Sequence, residues 1–173
     1  MASLESERLL FRPHGRDDLD AFCALEANAD FRLYVGGAPR SREGAERRFH
    51  NVYLGKPRGE LGLRATVFKP ESRYIGYCGI YPHFGPKGPI PGEATLAFYL
   101  DPAYWGRGLA TEAGAFFTDY GFEDLRLGRI VASAEIGNAA SIRVLRKLGF
   151  SQTDVEEGPR TFVNFELTPE KRL

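Results

Sequence analysis

The stretch Leu96-Ala97-Phe98-Tyr99-Leu100-Asp101-Pro102-Ala103-Tyr104-Trp105-Gly106-Arg107-Gly108-Leu109-Ala110-Thr111-Glu112-Ala113 decides the fold. It reads as strand, turn and helix in succession. Leu96, Phe98 and Leu100 alternate with Ala97 and Tyr99, the period of a strand. Pro102 has no N–H to give a ladder, so the strand ends at Asp101-Pro102. Gly106 and Gly108 bracket Arg107, and a helical pattern begins near Leu109. Glycine at these points lets the backbone turn tightly and bring its N–H groups close to a ligand. The helix behind them starts with unpaired N–H groups at its positive end, which suits phosphate oxygens. The same residues also suit an ordinary strand-to-helix loop. They are not a P-loop, since no Gly-Lys-Ser/Thr follows, and the dinucleotide pattern Gly-x-Gly-x-x-Gly fails at Thr111.

Outward from this stretch, the helix is expected to run to about Phe122, with Ala113, Phe117 and Tyr120 on one side. Residues 129–136 alternate Ile130, Ala132, Ala134 and Ile136 against Val131, Ser133 and Glu135, a strand. Two strands joined through a helix should lie parallel with a right-handed crossover. Asn138 then caps a helix with Ile142, Leu145 and Leu148 as its apolar stripe, and Gly149 is placed as its left-handed stop. Two last strands are expected at 151–155 and 161–167. On the N-terminal side, residues 8–12 read as a first strand. Asp17 and Asp18 precede a helix carrying Leu19, Phe22 and Leu25, and Ser41 caps a second helix whose Arg42, Arg47 and Arg48 read as a solvated face. Residues 61–68 and 73–81 read as strands. The Pro- and Gly-rich segment 82–92 reads as a long hairpin connection.

The 173 residues fit one domain, 1–173, with a well-buried core. Hydrophobic content of 43% and charged content of 27% fit a soluble globular protein. A net charge of zero gives no broad attraction to nucleic acid or an anionic membrane. No apolar run approaches the roughly 20 residues that span a bilayer, and the opening residues lack the apolar core of a signal peptide. Cys23 and Cys78 have no metal-type spacing and read as free thiols of a reducing cytosol. His14, His50 and His83 form no visible metal cluster, so no metal is expected.

Together, 105–113, then Asn138-Ala139-Ala140-Ser141, then Lys147-Leu148-Gly149-Phe150, resemble the GNAT acyltransferases, most of all the branch with the RimJ/RimL-like ribosomal-protein N-terminal acetyltransferases. The resemblance covers about residues 7–167. It implies an α/β (α+β) fold: a mixed, mostly antiparallel central sheet of about six to seven strands with flanking helices. It also implies acetyl-CoA as donor. The pyrophosphate would meet main-chain N–H groups of Trp105, Gly106, Arg107, Gly108, Leu109, Ala110 and Thr111, with Arg107 adding charge outside the turn or simply lying in solvent. The pantetheine arm would pair with Phe98, Tyr99 and Leu100, as an edge accepts an added strand.

The resemblance adds pantetheine contact to the capping role of Asn138. Ser141 is either a small polar residue common at helix starts or a hydroxyl that protonates the departing thiolate. Glu93 is either a hairpin-edge carboxylate or, sharing a strand face with Thr95, Ala97 and Tyr99, a base for the amine. In this branch Glu often stands where Thr95 stands, so the base is a departure here; His83 and Glu135 are further candidates. The implied reaction is acetyl transfer to a primary amine, of a protein N-terminus or a small molecule, by direct attack in a ternary complex. Alternatives are a CoA-binding regulatory module without turnover and transfer of a larger acyl group. Substrate contacts are expected from 32–39, 82–92 and 156–160. The protein is expected to be cytoplasmic, a monomer or homodimer, with no nucleic-acid or membrane partner.

Overall fold

A computed structural model describes residues 4–172; residues 1–3, on which the reading of the N-terminus partly rests, lie outside them. Eight strands form one sheet: β1 (Leu4–Glu5), β2 (Leu9–Arg12), β3 (Gly62–Phe68), β4 (Arg73–Gly85), β5 (Gly88–Leu100), β6 (Arg129–Glu135), β7 (Ser151–Glu156) and β8 (Phe162–Leu167). Their order across the sheet is β1-β2-β3-β4-β5-β6-β8-β7. Only β5 and β6 run parallel; every other neighbouring pair is antiparallel. The sheet therefore has the expected mixed character with one more strand than expected. The extra strand is β1, whose two residues pair with Leu10 and Phe11 and are too few to show an alternation.

Five helices flank the sheet: α1 (Leu19–Glu26), α2 (Ala29–Leu33), α3 (Arg42–Arg48), α4 (Leu109–Asp119) and α5 (Ala139–Lys147). On one face α4 and α5 cover Leu96, Leu100, Ile130 and Phe165, with Phe117 and Leu145 reaching down to them. Phe117 is 1% exposed, and burial of such a ring stabilises by roughly 1.5–3 kcal/mol. On the other face α1–α3 pack Phe22, Phe31 and Phe49 around Tyr53 and Tyr77. Alternate residues of β5 thus serve two cores, as the strand period demands.

Segment 82–92 is a correction. It is not a loose connection: β4 and β5 continue through it and turn between Gly85 and Gly88. This arm extends past both neighbours, since β3 starts pairing at Gly62 opposite Ile80 and β6 at Arg129 opposite Glu93. Beyond those points the outer main-chain groups have no ladder to complete, so prolines at 82, 89 and 91 are tolerated in strand geometry. The helix face on α3 is corrected too. Arg42 pairs with Asp20 and Glu46, and Arg47 with Glu43, but Arg48 turns inward onto Tyr53.

Candidate active site

β5 and β6 are zipped by only three residue pairs, Glu93–Thr95 against Arg129–Val131. Beyond them the strands part, and β5 runs on to Leu100 bonded to β4 alone on its other side. The opening is a cleft of about 510 Å³. Its walls are the freed edge of β5 from Leu96 to Leu100 with Thr95 at its root, the end of β6, and the N-termini of α4 and α5. A main-chain edge without a neighbour is a row of donors and acceptors ready for an extended ligand.

The glycine turn sits at one end of the cleft. Gly106 and Gly108 have φ of 72° and 76°, the left-handed region. Gly108 is the N-cap of α4 and has no side chain with which to cap it. The leading amides of Leu109, Ala110 and Thr111 are thus free of a side-chain cap at the cleft, where the helix dipole is positive. The Trp105 indole donates to the Leu100 carbonyl at 2.8 Å, tying the turn to the end of β5. Arg107 does not line the cleft. Its guanidinium lies over the rings of Phe68 and Tyr104, 4.7 and 5.0 Å from their centroids.

A brace behind this turn was not legible in the sequence. Glu112, in the first turn of α4, accepts from the Ser6 hydroxyl, the Arg8 amide and the Arg8 guanidinium, each at 2.7 Å. Arg8 also donates to the Arg107 carbonyl at 3.1 Å. Burial alone would raise the Glu112 carboxyl, yet these donors bring it below the usual carboxylate range. The partners are more than 100 residues apart in the chain, so no local pattern announces them.

At the other wall, the Asn138 side chain accepts from the Ser141 amide at 3.2 Å, the expected cap. Both residues line the cleft. The Ser141 hydroxyl has no hydrogen-bond partner among the described residues. Of the residues singled out from the sequence, Phe98, Tyr99, Leu100, Trp105, Gly106, Gly108, Leu109, Ala110, Thr111, Asn138 and Ser141 are brought together around one cavity. Glu93 is not. It sits at the zipped end, 2.8 Å from the Arg129 guanidinium, because its register opposite Arg129 precedes the point where the strands part. Glu135 lines the cleft but is paired with Arg160. Thr95 lines it too, and its hydroxyl meets His83 Nδ1 at 3.3 Å.

The segment after α2 arches over the cleft, contributing Tyr34 and Val35. Tyr34 donates to the Gly137 carbonyl at 3.2 Å, and Arg160 to that of Leu33 at 3.2 Å. Of the three stretches expected to meet substrate, 32–39 and 156–160 are therefore latched to each other and to the approach to α5. Helix α2 itself was missed; the signal for it was Asn28, whose side chain accepts from the Phe31 amide at 3.0 Å as a cap. Both cysteines are buried and free, and burial pushes the Cys78 thiol up to about 12. Among the described residues no group of three or more His, Cys, Asp or Glu is placed to hold a metal, and no helix is long and apolar enough to cross a membrane.

A parallel strand pair that parts beside a glycine turn on a helix tip is the distinguishing feature of this fold, and comparison with known proteins identifies the class it belongs to. Residues 8–151 match the family described as acetyltransferase (GNAT) domain, so the chain belongs to that family. It is 40% identical over 151 residues to the probable N-acetyltransferase YjcK of Bacillus subtilis (strain 168), covering 86% of this chain and 76% of that one. It is 29% identical over 153 residues to the uncharacterized N-acetyltransferase p20 of Bacillus licheniformis, covering 88% and 84%. A GNAT-family acetyltransferase structure from Bacillus anthracis superposes with a TM-score of 0.84 at 22% identity, covering 98% of this chain and 99% of that one. The fold is thus the GNAT fold, with an eight-stranded sheet.

Proposed function

We propose that the chain is one catalytic domain that transfers an acetyl group from acetyl-CoA to a primary amine, in the manner of the RimJ/RimL-like branch. The carrying observation is the convergence, on one cavity, of the uncapped amides of α4 and the unpaired edge of β5. The residues present fit the donor. The amides of Leu109, Ala110 and Thr111 with the turn 105–108 suit a diphosphate, and the β5 edge suits the amide-bearing pantetheine arm. Bound acetyl-CoA supplies the acetyl group as a thioester.

The chain's own contribution is positioning and proton management. Holding amine and thioester in one cavity removes the entropy of their encounter. Main-chain N–H groups of the β5 edge near Phe98 and Tyr99 stabilise the developing oxyanion. The Ser141 hydroxyl, without a hydrogen-bond partner among the described residues and held at the head of α5 by the Asn138 cap, is the proton donor to the departing thiolate. An α-amino group, with a pKa of about 7.7–8.0, needs little help to be neutral. Where a base is needed, Thr95 and His83 offer a path out of the cleft, whereas Glu93 is committed to Arg129. We place the protein in the cytoplasm, its acceptor being an amine rather than nucleic acid or membrane.

The test is calorimetric binding of CoA together with a mass-shift screen of an amine library with acetyl-, propionyl- and succinyl-CoA. The proposal expects CoA binding and an increment of one acetyl group on at least one amine. Ser141→Ala should lower kcat by about 10²-fold or more and leave CoA affinity unchanged. CoA binding without any acylated product would instead support a binding module, and a longer acyl increment would reassign the donor.

A further inference from the structure

Behind β5, on the face that α1–α3 cover, lies a second cavity of about 850 Å³. It shares Val35, Tyr81 and Tyr99 with the donor cleft, so the two meet across the β4–β5 surface. Its charged lining is all of one sign: Arg48, Lys56 and Arg58, with no Asp or Glu. Among the described residues none of these three cations has an ion-pair partner. Lys56 donates to the Asn51 carbonyl.

Arg48 is the informative member. It is half-buried, its guanidinium carbon 5.4 Å from the centroid of the Tyr53 ring and one nitrogen donating to the Tyr53 hydroxyl at 3.2 Å. Its Nε is buried with no hydrogen-bond partner. Burying a guanidinium without a carboxylate is costly. The nearby buried carboxylate, Glu26, is already met by Arg32 at 3.1 Å, Arg40 at 2.8 Å and the Tyr77 hydroxyl at 3.0 Å. Glu26 therefore acts on Arg48 only as a coulombic pull, with no ion pair or hydrogen bond between the two among the described residues. A planar guanidinium oriented by Tyr53 on the wall of a cavity whose charged lining is Arg48, Lys56 and Arg58 is a receptor for an oxyanion.

Resting on the reading of the donor cleft given above, we infer that the acceptor is a small amine whose other end carries an oxyanion, a carboxylate or a phosphate, held by Arg48 with Arg58 and Lys56. The amine end points to the junction at Tyr81 and Tyr99, where the two cavities meet. A polycationic amine is repelled by the same three side chains.

The experiment compares four acceptors at saturating acetyl-CoA: 4-aminobutanoate, 2-aminoethyl phosphate, 4-aminobutanamide and 1,4-diaminobutane. At least one oxyanion-bearing amine should exceed the amide by about tenfold in kcat/KM, with the diamine lowest. Which of the two leads identifies the anion. Arg48→Met should erase the ranking through KM, with kcat little changed. An amide or diamine equal to the best oxyanion substrate, or a ranking that survives Arg48→Met, overturns the inference. A readout independent of turnover is calorimetric binding of 4-acetamidobutanoate and of N-acetyl-2-aminoethyl phosphate to the CoA-loaded and CoA-free protein. Binding of either that is lost in Arg48→Met supports the inference, and binding of neither overturns it. Failure of the donor reading shows separately, as an absence of CoA binding.

Discussion

His14 gives the sharpest test of the packing. Its ring is 2% exposed and boxed by Phe49, Tyr53, Tyr74 and Tyr77, with centroids 5.1–6.2 Å away. Neither ring nitrogen makes a well-formed hydrogen bond. Burial lowers its pKa from 6.5 to about 4, against the opposing pull of Asp18 and the main chain of Lys56. The folded pKa lies below the unfolded one, so the unfolded chain binds the proton first as pH falls. The stability that depends on neutral His14 is complete above about pH 6.5 and drains away towards pH 4. Each pH unit in that window is worth about 1.4 kcal/mol, so this one ring removes roughly 2 kcal/mol by pH 5 and roughly 3 by pH 4. Domains of this size have about 5–15 kcal/mol in all. The assay is urea unfolding at pH 7, 6, 5 and 4.5 for the wild type and His14→Phe. The variant's midpoint should fall markedly less on acidification, by the equivalent of about 2 kcal/mol at pH 5. Parallel pH profiles for the two proteins would refute the reasoning, whatever their absolute stabilities.

Glu112→Ala unties Ser6, Arg8 and the Arg107 carbonyl at once. With Arg8 37% exposed, the loss is set at about 1–2 kcal/mol and should show as a lower Tm and CoA affinity weakened about tenfold by calorimetry. Glu93→Gln should keep kcat within about twofold of wild type, since its partner is Arg129 and not the cleft; a fall of 10²-fold or more would restore it as a base. Gly76→Ala should be severe. Gly76 has φ of 140°, and a Cβ there would run into the Tyr99 carbonyl and the Leu100 main chain on β5. A loss above about 3 kcal/mol in denaturant unfolding is expected, and a wild-type midpoint would contradict the close approach.

What the sequence made readable was local. Leu96 to Leu100 alternate, Asn138 and Ser41 cap, and Gly149 stops α5 with φ of 89°, because each effect is complete within a few residues. Tertiary partners were hidden. Glu93 and Thr95 lie on one strand face, but whether a side chain looks into the cleft depends on where β6 ceases to pair, which neither residue encodes. Arg48 sits among solvated arginines in sequence and turns inward only because Tyr53 offers it a ring one helical turn later. The brace on Glu112 joins residues more than 100 positions apart in the chain, and proline-rich 82–92 looked like a loop because proline usually excludes strand pairing. It fails to do so where an edge has no neighbour.

That last arm has a bearing on how the protein behaves in a crowded solution. Two adjacent, overhanging ribbons are natural templates for a foreign chain to append itself, the route by which sheets grow into aggregates. Pro82, Pro86, Pro89 and Pro91 strip amide hydrogens from this overhang at intervals, so an incoming chain meets gaps where it needs donors. The overhang can therefore project from the sheet without acting as a seed for assembly.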